Sequence, residues 1–348
     1  MNNKIEILQS ILNKSVDNKN VFGTSFCIKH KTDLWCGASG NLNTDSPYFI
    51  ASTTKLYVTA IILHLKSKGV LDLDDKISKY LDATVLKGLH TLNGKDYSSE
   101  ISIKNLLAHT SGIPDYFHQK NKEGKSFESE LIRGNDQFWT FEQVLDYSKQ
   151  LKPLFVPGAK GKAHYSDTNF QLLGKIIENI THKSISENYE ELIFKPLELS
   201  RTYLYTDIQD QRPKTLYYKS KELFIPKAMA SFGPDGGIVS TSNELMIFLT
   251  AFFNGTFFPK SYIESLKTWN SIFYPMQSGV GIHRFKLPWI FNPTGTIPEL
   301  FGHSGLSGTL AYHSPERDLY VTGTVNQVAH PGTSFRLAIK LLQKVLSK

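Results

Sequence analysis

The chain has 348 residues, with 40% hydrophobic and 20% charged residues, 24 Gly and 15 Pro. That composition excludes collagen, extended disorder and coiled coil, and the length allows two domains or one large domain with an insertion. The net charge is +7, but only six of the 39 basic residues are arginine and the lysines are spread along the chain, so the pattern reads as a solvated surface and not as a nucleic-acid stripe. The longest mostly apolar run, Tyr57 to Leu63, is far below the roughly 18 residues a membrane helix needs.

Ile5, Leu8, Ile11/Leu12 and Val16 recur at helical spacing and predict an amphipathic N-terminal helix. This segment has neither the apolar block nor the small-residue cleavage site of a secretory signal, and a cytoplasmic protein is expected. Thr24–Ile28 and Leu34–Ala38 read as a hairpin turning at Lys31-Thr32, which sets Cys27 opposite Cys36. A disulfide is geometrically possible, but a reducing compartment favours two buried thiols.

Ser52 to about Lys68 is predicted helical, with Leu56, Ala60, Leu63 and His64 along one side and Gly69 as its stop. Further helices are expected at 103–108, 141–150, 169–179 and 185–194. From about Thr202 the texture becomes β-prone (201–205, 215–218), then helical at 243–253. Strand-like runs follow at 279–283, 310–313 and 320–325, and a last helix spans 334–346 with Leu337, Leu341, Leu342 and Val345 inward. The organisation expected is an α/β part of residues 1–68 and 205–348, interrupted by a mostly helical part of 69–204.

Chemistry enters at Ser52-Thr53-Thr54-Lys55. A serine at the first turn of a helix meets backbone N–H groups and a partial positive charge. A lysine three residues on lies on the same face, close enough to accept its proton or to hold a neighbouring base ionised. Alone, S-x-x-K is common by chance. Here it is followed, in order, by Leu106–Tyr116 with His109-Thr110-Ser111-Gly112, by Tyr165-Ser166-Asp167, by Gly236-Gly237-Ile238, and by His303-Ser304-Gly305.

With these five segments the sequence resembles the serine β-lactamase-like and penicillin-binding-protein family, in the branch of class C β-lactamases, D-alanyl-D-alanine carboxypeptidases, D-aminopeptidases and related esterases. In the sister class A enzymes the corresponding motifs are S-x-x-K, S-D-N and K-T-G. The resemblance runs from about residue 20 to residue 345. It implies an α+β fold of the β-lactamase/transpeptidase type, an antiparallel sheet flanked by terminal helices with an inserted all-helical domain. It also implies Ser52 as the nucleophile that forms an acyl-enzyme, Lys55 and Tyr165 as the proton-transfer pair, and an oxyanion hole from the backbone N–H groups of Ser52 and Leu306. His303 stands where β-lactamases carry lysine. Ser304, Gly305 and Leu306 would border the substrate, with Leu306 just after an edge strand, and a lysine ammonium beside Tyr165 would favour its phenolate.

One position departs from the family pattern, which commonly has Asn where this chain has Asp167. A carboxylate pointing into the site would keep Lys55 protonated, repel a substrate carboxylate and attract an amine; the bland alternative is that Asp167 turns away to cap the next helix. With a neutral His303, it argues against efficient β-lactamase action. His109 is expected to be structural and the glycines 233, 236 and 237 to shape a turn. Phe117, Phe138, Trp139, Trp289 and Phe291 are expected in the core or walling the cleft. No phosphate loop, G-x-S-x-G elbow or H-E-x-x-H spacing is present, so no cofactor or metal is expected. The expected partner is a small molecule or short peptide, with no nucleic acid and no membrane. The function expected is a serine hydrolase cleaving an amide or ester, most simply of a D-amino-acid peptide or amide or a small ester. The alternatives are a class C-type β-lactamase and a non-catalytic ligand sensor of the penicillin-binding type.

Overall fold

The computed structural model describes residues 2–347. Its largest layer is an antiparallel sheet of eight strands. The first two are β1 (Gly23–His30) and β2 (Asp33–Gly40); the other six are β3 (Asn270–Phe273), β4 (Met276–Ser278), β5 (His283–Phe285), β6 (Leu300–Gly305), β7 (Thr309–Ser314) and β8 (Leu319–Thr324). The spatial order is β3-β4-β5-β6-β7-β8-β1-β2, so the late strands form a meander and the early hairpin pairs onto its end. The hairpin turns at Lys31-Thr32, as the sequence predicts, with His30 opposite Asp33.

One face of the sheet is covered by the terminal helices α1 (Asn2–Ser15) and α5 (Gly332–Leu346). Leu8, Leu12, Leu337, Leu341 and Leu342 pack there on Phe26, Ile28, Leu310 and Val321, while Ile5 stays half-exposed. Burial of each such leucine stabilises by about 1.5–3 kcal/mol. The other face receives α2 (Lys55–Ser67) and α4 (Ser242–Asn254), and α3 (Asp167–Thr181) packs on α2. The sequence predicts a one-sided α2, but Lys55 to Leu63 are buried without interruption because the helix is enclosed on all sides. Its stop is Gly69, at φ +71°.

Two expectations change. The run 279–283 is not one strand: β4 ends at Ser278 and β5 begins at His283, with a bend between them that needs Gly281 at φ +73°. Cys27 and Cys36 are not two thiols; they are directly opposed in the β1–β2 register, 4.1 Å apart at Cα, and form a disulfide. The hairpin register places their side chains together, and this overrides the compartment argument used on the sequence. Among the described residues no helix is long and apolar enough to cross a membrane.

Candidate active site

A short helical turn, Ala51–Thr54, leads into α2 and carries Ser52. A small second sheet anchors that turn from below: the Ile50 N–H donates to the Ile238 carbonyl (3.0 Å), and the Ile238 N–H donates to Thr54 Oγ1 (3.2 Å). Ala51 has φ +46°, a left-handed conformation that non-glycine residues rarely adopt and that persists only where the surroundings enforce it. From the other side Gly305 of β6 presses on the turn. A Cβ there would lie 2.4 Å from the Ile50 carbonyl oxygen, so only glycine permits this approach.

Lys55 is fully buried; its ammonium donates to Ser52 Oγ at 3.1 Å and to the Asp235 carbonyl at 2.6 Å, and pairs with the carboxylate of Asp167, Oδ1 at 2.5 Å. Burial alone would lower its pKa, but the carboxylate of Asp167, with Tyr165 and Asp235 close by, outweighs that and the net shift is upward. Lys55 is therefore an ammonium ion that donates to Ser52. Asp167 points into the site at the first position of α3; it does not turn away as a cap, because Ser166 holds the N-cap position. Its backbone N–H donates to Asp115 Oδ1 (2.9 Å).

Tyr165 lies in the loop before α3, half-buried, with its ring 5.2 Å from Lys55 Nζ. Burial raises its pKa, Lys55 lowers it, Asp167 raises it and Ser52 lowers it, and the balance lies above the ordinary phenol value. This corrects the expectation of a ready phenolate: Lys55 acts in the expected direction, but burial and Asp167 are stronger.

The strand β6 is not an edge strand, since it lies between β5 and β7. The expectation is nonetheless met locally, because β5 stops opposite Gly302 and leaves His303 to Gly305 laddered to β7 alone. His303 shares the face of Phe301 and Ala311, whereas Ser304 alternates to the face of Leu310, away from His303. Leu306 and Ser52 line one common cavity.

Around these residues stand others that the motifs do not announce. On one side of Ser52 is an apolar cavity formed by Phe117, Leu131, Ile225, Met229 and Phe232 among others, with Asp167, His118 and Glu128 at one end. His118 Nδ1 is 3.0 Å from Glu128, and Nε2 is 3.8 Å from Asp167. Burial opposes its charge, but the hydrogen bond to Glu128 and the nearby carboxylates push its pKa up to about 9. Burial and the charge of Asp167 push Asp115 up to about 6, and Asp235, whose Oδ2 accepts from Tyr116 (2.9 Å) and Gln171 (3.0 Å), well above the carboxylate range. Asp115, His118 and Asp167 have the spacing of a metal site. Their partners do not fit one, because His118 Nδ1 is taken by Glu128 and Asp167 already pairs with Lys55.

On the other side stand rings. His109 stacks on Tyr165 at 4.5 Å, and His283 stacks on His303 at 3.9 Å. The half-exposed Phe273 meets Tyr165 edge-on at 6.1 Å. Of the aromatics expected to wall the cleft, Phe117 does so, Trp139 is buried beside it, and Phe138, Trp289 and Phe291 are exposed.

The chain belongs to the beta-lactamase family, whose model matches residues 8–344, and it is a serine hydrolase of the beta-lactamase fold. It is 26% identical over 325 residues to a Bacillus subtilis protein named N-acetylmuramyl-L-alanine amidase, covering 83% of this chain and 70% of that one. It is 23% identical over 322 residues, with the same coverage, to a putative D-alanyl-D-alanine carboxypeptidase of Escherichia coli K12. A solved D-stereospecific amidohydrolase from Streptomyces sp. superposes with a TM-score of 0.78 at 27% identity, over 93% of this chain and 94% of that one.

Proposed function

We propose that the protein hydrolyses an amide or ester through an acyl-enzyme on Ser52, and that the acyl donor carries a free amine and a bulky apolar side chain, as in a D-amino-acid amide. The observation that carries the reading is the Lys55 constellation. Lys55 donates to Ser52, so the Ser52 proton is free to leave toward Tyr165. With Asp167 holding Lys55 charged, Tyr165 acts as a relay: its oxygen takes the Ser52 proton as its own hydroxyl proton passes to the departing group, and it ends as the neutral phenol it began. Ser52 Oγ bonds to the carbonyl carbon, the backbone N–H groups of Ser52 and Leu306 receive the oxyanion, the leaving group departs with the proton, and water releases the acid. Residues 69–204 contribute Tyr165, Asp167 and the acidic end as the helical part of the molecule.

The apolar cavity accounts for the side chain. At its end the ionised Asp167, Glu128 and Asp115 face the cations Lys55 and His118, and the one net negative charge favours an ammonium and disfavours the carboxylate a penicillin presents. The Streptomyces relative named for D-stereospecific amide hydrolysis supports this substrate class. A cytoplasmic site of action requires Cys27 and Cys36 to stay reduced; the disulfide favours an oxidising compartment.

The test is intact mass after a fluorophosphonate probe, run beside Ser52→Ala and Tyr165→Phe. One adduct on the wild type, absent in Ser52→Ala, is expected. No adduct on folded protein, and none with penicillin, would transfer the site to ligand sensing.

A further inference from the structure

The leucines that close the apolar cavity are a thin partition. A hairpin of Leu216–Tyr218 and Lys221–Leu223 sets Leu216 directly opposite Leu223, and both line the cavity beside Ser52. The same two side chains, with Ile225 and Met229, also line a second cavity of about 320 Å³ that borders the exposed Phe224. With space on both of its sides the hairpin is gripped weakly by packing, and a two-stranded hairpin alone is marginally stable. Its position falls to its polar anchors.

Those anchors come from the segment after β8. The Tyr217 N–H donates to the Asn326 carbonyl (3.2 Å), the Val328 N–H to the Tyr217 carbonyl (2.8 Å) and Asn326 Nδ2 to the Thr215 carbonyl (2.6 Å), while the Tyr217 ring stacks on Phe22 at 4.2 Å. All of these hold the first strand. Among the described residues the return strand, which carries Leu223, has backbone partners in the first strand alone. At the turn between them Lys219 adopts φ +57°, and both of its main-chain groups meet the side chain of Gln327: the N–H donates to Oε1 (2.8 Å), and Nε2 donates to the carbonyl (2.8 Å). Gln327 Nε2 also donates to the Asn20 carbonyl (2.6 Å), and Oε1 accepts from the Ala329 N–H (3.0 Å). Gln327 is 1% exposed, and its amide makes all four bonds available to it.

We infer that Gln327 is a positioning residue for acyl selectivity: its amide pins the turn, the turn places the return strand, and Leu223 is thereby held against the acyl side chain. The inference rests on the proposed reading of the apolar cavity as the acyl side-chain site and adds what fixes its width. Without the amide, both main-chain groups of Lys219 lose their partner, and the partition relaxes into the second cavity. A large acyl side chain then loses apolar contact, whereas a methyl group has little contact to lose.

The experiment measures kcat and KM for D-phenylalaninamide and D-alaninamide in the wild type and in Gln327→Met, which keeps the length of the side chain and removes its hydrogen bonds. The kcat/KM preference for D-phenylalaninamide is expected to fall about tenfold through a higher KM, with kcat for D-alaninamide within about twofold of the wild type. Two further measurements carry the test if Gln327→Met does not fold. Hydrogen exchange in the wild type should find the Lys219 and Ala329 amides protected together. Leu223→Ala, at a partly exposed position, leaves the Gln327 hydrogen bonds in place and should lower the same preference. A wild-type preference in folded Gln327→Met, an equal loss of kcat on both amides, a freely exchanging Lys219 amide or an unchanged preference in Leu223→Ala overturns the inference. Fluorophosphonate labelling keeps the two readings apart: a missing Ser52 adduct ends the proposed function and this inference with it, whereas an adduct with an unchanged Gln327→Met preference ends only the role of Gln327.

Discussion

The two sides of Ser52 are built from opposite materials. Toward Met229 and Phe232 the cavity is aliphatic and aromatic and ends in a cluster of ionised groups, Asp167, His118 and Glu128. Toward Phe273 stand aromatic and imidazole rings, of which His109, His283 and His303 are buried and uncharged. Both sides meet at Lys55, whose ammonium is balanced by the first and repels protons from the second. Charge on one side thus keeps the other neutral, and a single carboxylate, Asp167, sets the contrast.

The largest expected effect comes from removing the hinge of this contrast. Lys55→Met leaves Asp167 buried without its partner, which should cost about 3–5 kcal/mol in stability by denaturant titration and reduce turnover on the order of a thousandfold or more. A stable, active Lys55→Met protein would dissolve the comparison. Next is Asp167→Asn. Because Asp167 raises the pKa of both Lys55 and Tyr165, the neutral amide should shift the basic limb of kcat/KM to lower pH. The preference for amine-bearing over carboxylate-bearing acyl groups should fall about tenfold; an unchanged preference refutes the amine assignment.

A smaller effect is expected from Asp115, which titrates near pH 6 because ionisation is disfavoured in its buried place. Its carboxylate accepts from the Asp167 and His118 N–H groups, so protonation below pH 6 loosens the acidic end and kcat/KM should decline there by severalfold. Asp115→Asn, with no proton to gain, should flatten that limb. The smallest effect belongs to the disulfide, which lies at the far end of the sheet in β1 and β2. Reduction should cost at most about 3 kcal/mol for so short a loop and leave kcat unchanged, as a thermal melt and an assay with and without dithiothreitol would show.

The part of this site that the sequence displays is the part written in local motifs. Ser52 and Lys55 share one helical turn, and Tyr165 and His303 sit in short polar signatures between apolar runs. The rest depends on partners distant in the chain. His283 follows a glycine-rich run that resembles a strand, and only the bend at Gly281 brings it onto His303. Asp235 acts through its backbone carbonyl, which no side-chain pattern records. His118 and Glu128 lie on a loop and a short helix with no motif, and the signal that could have drawn attention to them is the density of ionisable groups after Pro114. The helices and most strands follow from apolar periodicity, whereas the central place of β6 does not, because strand order is a matter of which distant segments pair.

The early end of β5 has a consequence for how this enzyme can change. Opposite His303 to Gly305 the ladder toward β5 has a gap, so on that side their main-chain groups have no strand partner. A ligand aligned there would be held by features common to every peptide unit. Selectivity would then rest on the side chains around the cleft, and substitutions such as one at Met229 would retune the choice of substrate while the reactive centre stays as it is.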